Sequence, residues 1–324
     1  MFTCTTHYSY VRGFNFQPDW GAHGITIWLH FDSERYRELV RNAKKKFPRV
    51  NTLRIWLSFD AWCEDPDTYL RNVKTAGDIL TEEGLAIIPV YFNGWFGIPS
   101  FGGFVPETLG WLNFQDPELP YAAYIKETAA QLRQSAVLVH DISNEPLNNT
   151  FGNAQAIRCV STFLQEMISV LRRADSRPVT VGSQGFLIGP GDTSDIEEFA
   201  PFVDVISLHP YNINGVSPSQ HREWVQGLLT LVEKTGKPCL ITECCWGAAT
   251  ARERLPFLQS ELPIYRELGI GFCAHALCTS PVADLHPADT GRKLGAGLYM
   301  AFLDDHGDIR PGHELFNDID IEIE

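Results

Sequence analysis

The sequence predicts an α/β fold, a single (β/α)8 TIM barrel, on three observations. Eight short apolar runs recur along the chain, amphipathic stretches lie between most of them, and no glycine-rich nucleotide turn follows the first run. The last point separates the barrel from an open doubly wound sheet. Such sheets usually carry GxGxxG after the first strand, and RGFNFQPDWG has none.

The elements follow in order. Val11–Phe16 opens the series, and Ser33–Lys46 carries apolar residues at helical spacing before Thr52–Leu57. Pro66–Glu83 is the next helix and Leu85–Tyr91 the third strand, followed after a long loop by the helix Pro120–Gln134. Val137–Ile142, the helix Asn153–Ala174 and Pro178–Val181 come next. The link to Val203–Leu208 is weaker, with room for one short helix over Ile196–Phe202. Gln220–Thr235, Cys239–Thr242, Ala251–Leu268 and Gly271–Leu277 complete the set. Most strand runs are apolar throughout, as expected when both faces of a sheet are covered. Glycine ends three of the helices, in TEEG-LAIIPV, EKTGKP-CLIT and RELG-IGFC, because it adopts the left-handed cap conformation without steric cost. No linker, repeat or composition shift divides the chain, which predicts one domain over residues 1–324. Its two long loops, about 93–119 after the third strand and about 278–292 after the eighth, fall over the C-terminal mouth of the barrel.

Composition narrows the function. A formal net charge of -14 without a basic patch argues against nucleic acid and against an anionic membrane surface. No stretch reaches the roughly 20 apolar residues of a transmembrane helix. Eight scattered cysteines lack metal-type CxxC spacing, and MFTCTTHYSY does not read as a signal peptide. A cytoplasmic protein with reduced thiols is the expectation, with Cys239, Cys244, Cys245 and Cys273 serving as small apolar residues.

A barrel places catalytic groups at the C-terminal ends of its strands. The fourth run ends in His140-Asp141-Ile142-Ser143-Asn144-Glu145-Pro146 and the seventh in Leu240-Ile241-Thr242-Glu243. Strands four and seven stand nearly opposite in a closed barrel, so two carboxyl groups are expected to face one pocket. A separation of about 5–5.5 Å suits double displacement, and about 6.5–9.5 Å suits inversion.

Together, Arg54 in NTLRIW, Asn144-Glu145-Pro146, His209-Pro210-Tyr211 and Glu243 in ITE resemble the clan of retaining (β/α)8 glycosidases. Glycoside hydrolase family five, which includes cellulases and mannanases, is the nearest relative by these motifs. The resemblance runs from RGFNF to Met300–Arg310. It implies that Glu145 is the acid/base and Glu243 the nucleophile of a β-glycosidase that needs no cofactor and no metal. It further implies that Asn144 contacts the sugar 2-hydroxyl. Arg54 and Tyr211 would then hold Glu243, and His209 would border the acid/base. Two departures stand out. Tyr91-Phe92-Asn93 replaces the histidine many members carry after strand three, and His275 falls where tryptophan usually forms the sugar platform. Trp246 or Trp95 would then supply the stacking surface.

The loop after the third strand holds Trp95, Phe96, Phe101, Phe104, Trp111 and Phe114, a composition suited to stacking on sugar rings. Asp284, His286, Asp289 and Arg292 in the last loop suit terminal hydroxyls, and long loops of this kind favour exo action. Asp60 and Trp62 read equally as sugar contacts or as loop residues. The expected partner is an oligosaccharide or small glycoside, and the loops of the catalytic face offer a surface to a second copy, as in a homo-oligomer. Three other readings stay open. They are transglycosylation at the same site, a sugar-binding barrel without catalysis, and a metal-dependent hydrolase, whose usual HxH pair is missing from RGFNFQ.

Overall fold

The computed structural model describes residues 2–21, 24–94, 120–150, 152–182, 194–213, 215–280 and 299–318. Eight parallel strands form one sheet: β1 (Arg12–Phe16), β2 (Thr52–Trp56), β3 (Ala86–Asn93), β4 (His140–Asn144), β5 (Val179–Gly182), β6 (Ile206–Leu208), β7 (Cys239–Cys244) and β8 (Phe272–Ala274). Their order is β5-β4-β3-β2-β1-β8-β7-β6. The two ends of that order are themselves linked. Asp204 N–H donates to Val179 O at 2.8 Å, and Thr180 Oγ1 donates to Val205 O at 2.7 Å, so the chain entering β6 pairs with β5. This is the ring order of a (β/α)8 barrel.

Nine α-helices are found among the described residues: α1 (Gly24–Leu29), α2 (Ser33–Lys46), α3 (Phe59–Glu64), α4 (Pro66–Glu82), α5 (Tyr121–Gln131), α6 (Ala154–Ala174), α7 (Ser194–Phe199), α8 (Pro218–Thr235) and α9 (Ala251–Leu268). Several begin on a side chain that accepts orphan backbone N–H groups: Asp65 for α4, Asn153 for α6, Ser217 for α8 and Thr250 for α9. The three expected glycine stops take φ of 73° at Gly84, 68° at Gly236 and 67° at Gly269.

The differences from the sequence reading are local. Helices α1 and α3 were not expected, although Ser58 is a clear start signal for α3, its Oγ accepting Ala61 N–H at 3.1 Å. β4 begins at His140, not Val137, because the chain ahead of it changes partner. Leu138 N–H reaches Ile87 O at 2.8 Å, and His140 N–H reaches Pro178 O at 2.8 Å. β8 stops at Ala274, since Ala276 N–H turns to Met300 O at 2.8 Å and Leu277 N–H to Asn15 O at 2.9 Å.

Backbone packing divides the chain into two compact units. The first comprises Met1–Ala22, Glu34–Arg54 and Leu208–Glu324, and the second His23–Ser33 and Ile55–Ser207. In the first, Phe14 lies 4.2 Å from Phe316 (stacked), 4.9 Å from Phe47 and 5.1 Å from Phe302, centroid to centroid. In the second, Phe59, Phe92, Tyr121, Tyr124 and Phe163 form a chain of ring contacts. Trp62 belongs to that cluster, its indole N–H donating to Glu127 at 2.9 Å, so its surroundings are those of a packing residue. No helix among the described residues is long and apolar enough to cross a membrane.

Phe14 is fully buried among three phenylalanines, so Phe14→Ala should cost about 3–5 kcal/mol. Urea unfolding of both proteins measures this, and a change within about 0.5 kcal/mol would mean that the cluster relaxes around the gap.

Candidate active site

In the first unit, the sequence brings four polar side chains to one buried carboxylate. Glu243 is the fifth residue of β7 and is 5% exposed. Arg54, on β2 and fully buried, directs Nη1 to Glu243 Oε1 and also to Asn15 Oδ1 at 2.7 Å. Asn15, on β1, donates in turn to Thr242 O at 2.8 Å, tying the arginine's support to the backbone beside the glutamate. Tyr211 OH donates to Glu243 Oε2 at 2.8 Å. His209 Nδ1 and His275 Nδ1 lie 3.8 Å and 3.9 Å from the same oxygen, and His209 Nε2 pairs with Thr242 Oγ1 at 2.9 Å.

These neighbours decide the charge of Glu243. Burial acts most strongly and pushes its pKa up, but the pull of His209, Arg54 and His275 (each histidine acting only when protonated), with the Tyr211 hydroxyl, outweighs burial and lowers it to about 2. Burial drives His275 down to about 4, with Arg254 and Arg54 adding to the effect against the pull of Glu243. His275 is therefore neutral at neutral pH, and Arg54 is the permanent cation in the group. Trp246 is half-buried, with its ring 5.2 Å from Tyr211 in an edge-on contact.

The second unit holds the other glutamate. Glu145 follows β4 directly, is 6% exposed and takes φ of 42°, a left-handed conformation rare outside glycine. Its N–H bonds Gly182 O at 2.7 Å, and Asn148 Nδ2 donates to its Oε2 at 3.2 Å. Asn144 Nδ2 donates to Asn93 Oδ1 at 3.1 Å, and the two residues are also register partners between β3 and β4. Gly94 makes this approach feasible. A β-carbon there would lie 2.5 Å from Pro146 Cα and 2.7 Å from Glu145 O, so only glycine fits. His140, at the other end of β4, pairs with Tyr91 OH at 3.0 Å and lies 3.3 Å from Asp175, a packing arrangement.

Of the residues the sequence singled out, Arg54, His209, Tyr211, Trp246 and His275 gather at Glu243, while Asn93 and Asn144 pair next to Glu145. Trp95 and the other aromatic residues of its loop, with Asp284, His286, Asp289 and Arg292, lie outside the described residues. Asn15, Gly94 and Asn148 escaped the sequence reading. Asn148, three residues after Glu145, was the most legible of these, because a short polar side chain there can fold back on the preceding turn.

All eight cysteines are free thiols. Among the described residues of the first unit, Cys244, Cys245 and Glu261 are the one group whose ligand atoms could meet a metal ion, all lying within 4.8 Å of one another. They fit one poorly. Both Glu261 oxygens already accept backbone N–H groups, and burial first, then the neighbouring thiol, pushes the Cys244 thiol well above its ordinary value.

The sequence profile of the cellulase family, glycosyl hydrolase family 5, matches residues 28–274. The chain belongs to that family. Among solved structures, the exo-β-1,4-mannosidase of Opitutaceae bacterium strain TAV5 superposes with a TM-score of 0.70 at 19% identity, over 95% of this chain and 58% of that one. The chain thus spans a little over half the length of that relative. A GH5_18 protein from Bifidobacterium longum subsp. longum gives 0.72 at 15% identity, over 96% of this chain and 78% of that one. The endo-β-1,4-mannanase of Thermotoga petrophila gives 0.65 at 15%, over 96% and 76%. At such identities the likeness speaks for the fold. No curated protein sequence matches the chain significantly.

Removing Arg54 would leave Glu243 buried without its cation. Arg54→Met should therefore cost about 3–5 kcal/mol at neutral pH. The sign follows from the lowered pKa: stabilisation of the Glu243 carboxylate is complete above its ordinary 4.5 and lost as pH falls towards about 2. The stability gap between wild type and variant should narrow over the same range, and urea unfolding at several pH values tests it. A gap independent of pH would assign the loss to packing.

Proposed function

We propose that the chain is a retaining glycoside hydrolase that cleaves a β-glycosidic bond by double displacement. The observation that carries the reading is Glu243, a carboxylate buried at a strand end and kept ionised by Arg54 and Tyr211. A nucleophile must be ionised at working pH while remaining screened from water. Glu243 then attacks the anomeric carbon, and Glu145 gives its proton to the departing glycosidic oxygen. In the second step Glu145 takes a proton from water, whose oxygen displaces Glu243 from the same carbon. Each turnover consumes one water, and the net proton count is unchanged.

Roles for the remaining residues follow from the same scheme. Asn144, held by Asn93, presents an amide suited to a sugar hydroxyl. Neutral His275 offers one donor and one acceptor, where an indole offers a stacking face and a donor but no acceptor. Trp246 provides a half-buried ring near the nucleophile. The substrate class is proposed from the neighbours' names. They include an exo-β-1,4-mannosidase, an endo-β-1,4-mannanase and a variant of a Streptomyces cattleya GH5_18 protein in complex with Manb1-4GlcNAc. A β-mannoside or a short mannose-containing oligosaccharide is the first candidate.

The test is a panel of aryl β-glycosides, β-mannosides first, run with wild type, Glu243→Ala and Glu145→Ala. Glu243→Ala should lose activity on every substrate, whereas Glu145→Ala should retain most with good leaving groups and least with poor ones. General acid catalysis contributes roughly 10²–10⁴-fold, and an activated phenol needs little of it. Full activity in Glu243→Ala would remove it as nucleophile. Sugar binding without turnover by wild type would mark a binding barrel.

A further inference from the structure

Helix α9 places a second buried glutamate behind the nucleophile. Glu261 is fully buried, and its two oxygens collect four donors. Oε1 accepts Asn212 N–H at 3.2 Å and Trp246 N–H at 3.4 Å. Oε2 accepts Cys245 N–H at 2.7 Å and Tyr265 OH at 3.0 Å, and that hydroxyl also lies 3.2 Å from Pro210 O. Tyr265 lies on α9 itself, and the three backbone donors come from two separate chain segments. Residues 210–212 follow β6 and carry Tyr211, while residues 245–246 follow β7 and adjoin Glu243.

The second segment is held from its other side as well. Arg254, seven residues before Glu261 and on the same face of α9, is fully buried. It donates to Cys245 O at 2.8 Å, Trp246 O at 3.0 Å and His275 O at 2.6 Å. The Cys245 peptide units are thus gripped at both N–H and C=O. Cys245 needs that grip, because its φ of 73° is a conformation that a β-carbon disfavours.

We propose that Glu261 is a positioning residue for hydrolysis. By tying the backbone around Tyr211 to the backbone after Glu243, it sets the 2.8 Å bond from Tyr211 OH to Glu243 Oε2. The inference rests on the reading of Glu243 as nucleophile. Burial pushes the Glu261 pKa up, and the N–H groups of Cys245, Asn212 and Trp246 with the Tyr265 hydroxyl pull against it. In its ionised form the carboxylate suits the task because it accepts at both oxygens and donates at neither. Glutamine has nearly the same shape but turns an NH2 towards N–H donors, so Glu261→Gln loosens the tie while keeping the volume.

The test compares wild type, Tyr211→Phe, Glu261→Gln and the double variant, with thermal unfolding confirming that each is folded. Each single change should lower kcat/KM roughly ten- to a hundredfold, the worth of one hydrogen bond to a charged group, with the loss in kcat. The acidic limb of the pH profile should move to higher pH. The double variant should fall within about threefold of Tyr211→Phe, because both changes remove one interaction. A Glu261→Gln penalty that persists in full in the Tyr211→Phe background, or an unmoved acidic limb, would overturn the proposal. If Glu261→Gln does not fold, Tyr265→Phe removes a donor from the same carboxylate, keeps the ring, and should move the acidic limb the same way. An unmoved limb there counts equally against the proposal.

Carbon NMR titration of the Glu243 carboxyl in the same variants gives the coupling without substrate. A Glu243 titration raised in Glu261→Gln, in a protein whose activity survives Glu243→Ala, would uphold the tie and reject the nucleophile. Loss of activity in Glu243→Ala with additive penalties would do the reverse.

Discussion

The structure turns on keeping one carboxylate charged where water is excluded. Burial alone would push Glu243 towards its neutral form. A buried arginine supplies the opposite charge, yet an unsupported guanidinium would meet the same desolvation cost. Its Nη1 therefore reaches both Glu243 and Asn15, and Asn15 is anchored to the carbonyl of Thr242, one residue before the glutamate. The charged pair and its polar scaffold come from β1, β2 and β7, with Tyr211 and His209 arriving from the end of β6. Substituting any member shifts a group whose partners are themselves buried, which is why such networks are costly to break piecemeal.

Backbone irregularity gathers at the same strand ends. Glu145 itself and Cys245, two residues after Glu243, both adopt positive φ without being glycine. Such conformations persist only when the surroundings over-determine them. Each has its own support: the Gly182 carbonyl, Asn148 and the close approach of Gly94 for Glu145, and Glu261 with Arg254 for Cys245. The core of each unit holds a ring cluster, around Phe14 in one and Tyr124 in the other.

The two departures from the family pattern take on physical meaning once folded. Asn93 stands beside Asn144 and accepts a hydrogen bond from its amide N–H at 3.1 Å. His275 sits 3.9 Å from Glu243 and is kept neutral mainly by burial, so it sets a polar ring beside that carboxylate. At neutral pH the permanent positive charge beside Glu243 is that of Arg54.

The sequence by itself determined the barrel, the order of its elements to within a few residues, and the strand ends on which Glu145 and Glu243 sit. Those features are written in local patterns: apolar runs, helical spacing, glycine stops and motifs adjoining a strand. It did not disclose Asn15, Gly94, Asn148 or the grip of Glu261 and Arg254 on Cys245. An asparagine in RGFNF and a glutamate in a helix with ordinary spacing carry no sign of their partners, which lie 227 residues away for Asn15 and 49 for the Asn212 bond of Glu261. Only the tertiary structure decided that these groups are buried together. Burial is what turns a common side chain into a fixed hydrogen-bonding partner, because a buried polar group without one is too costly to keep.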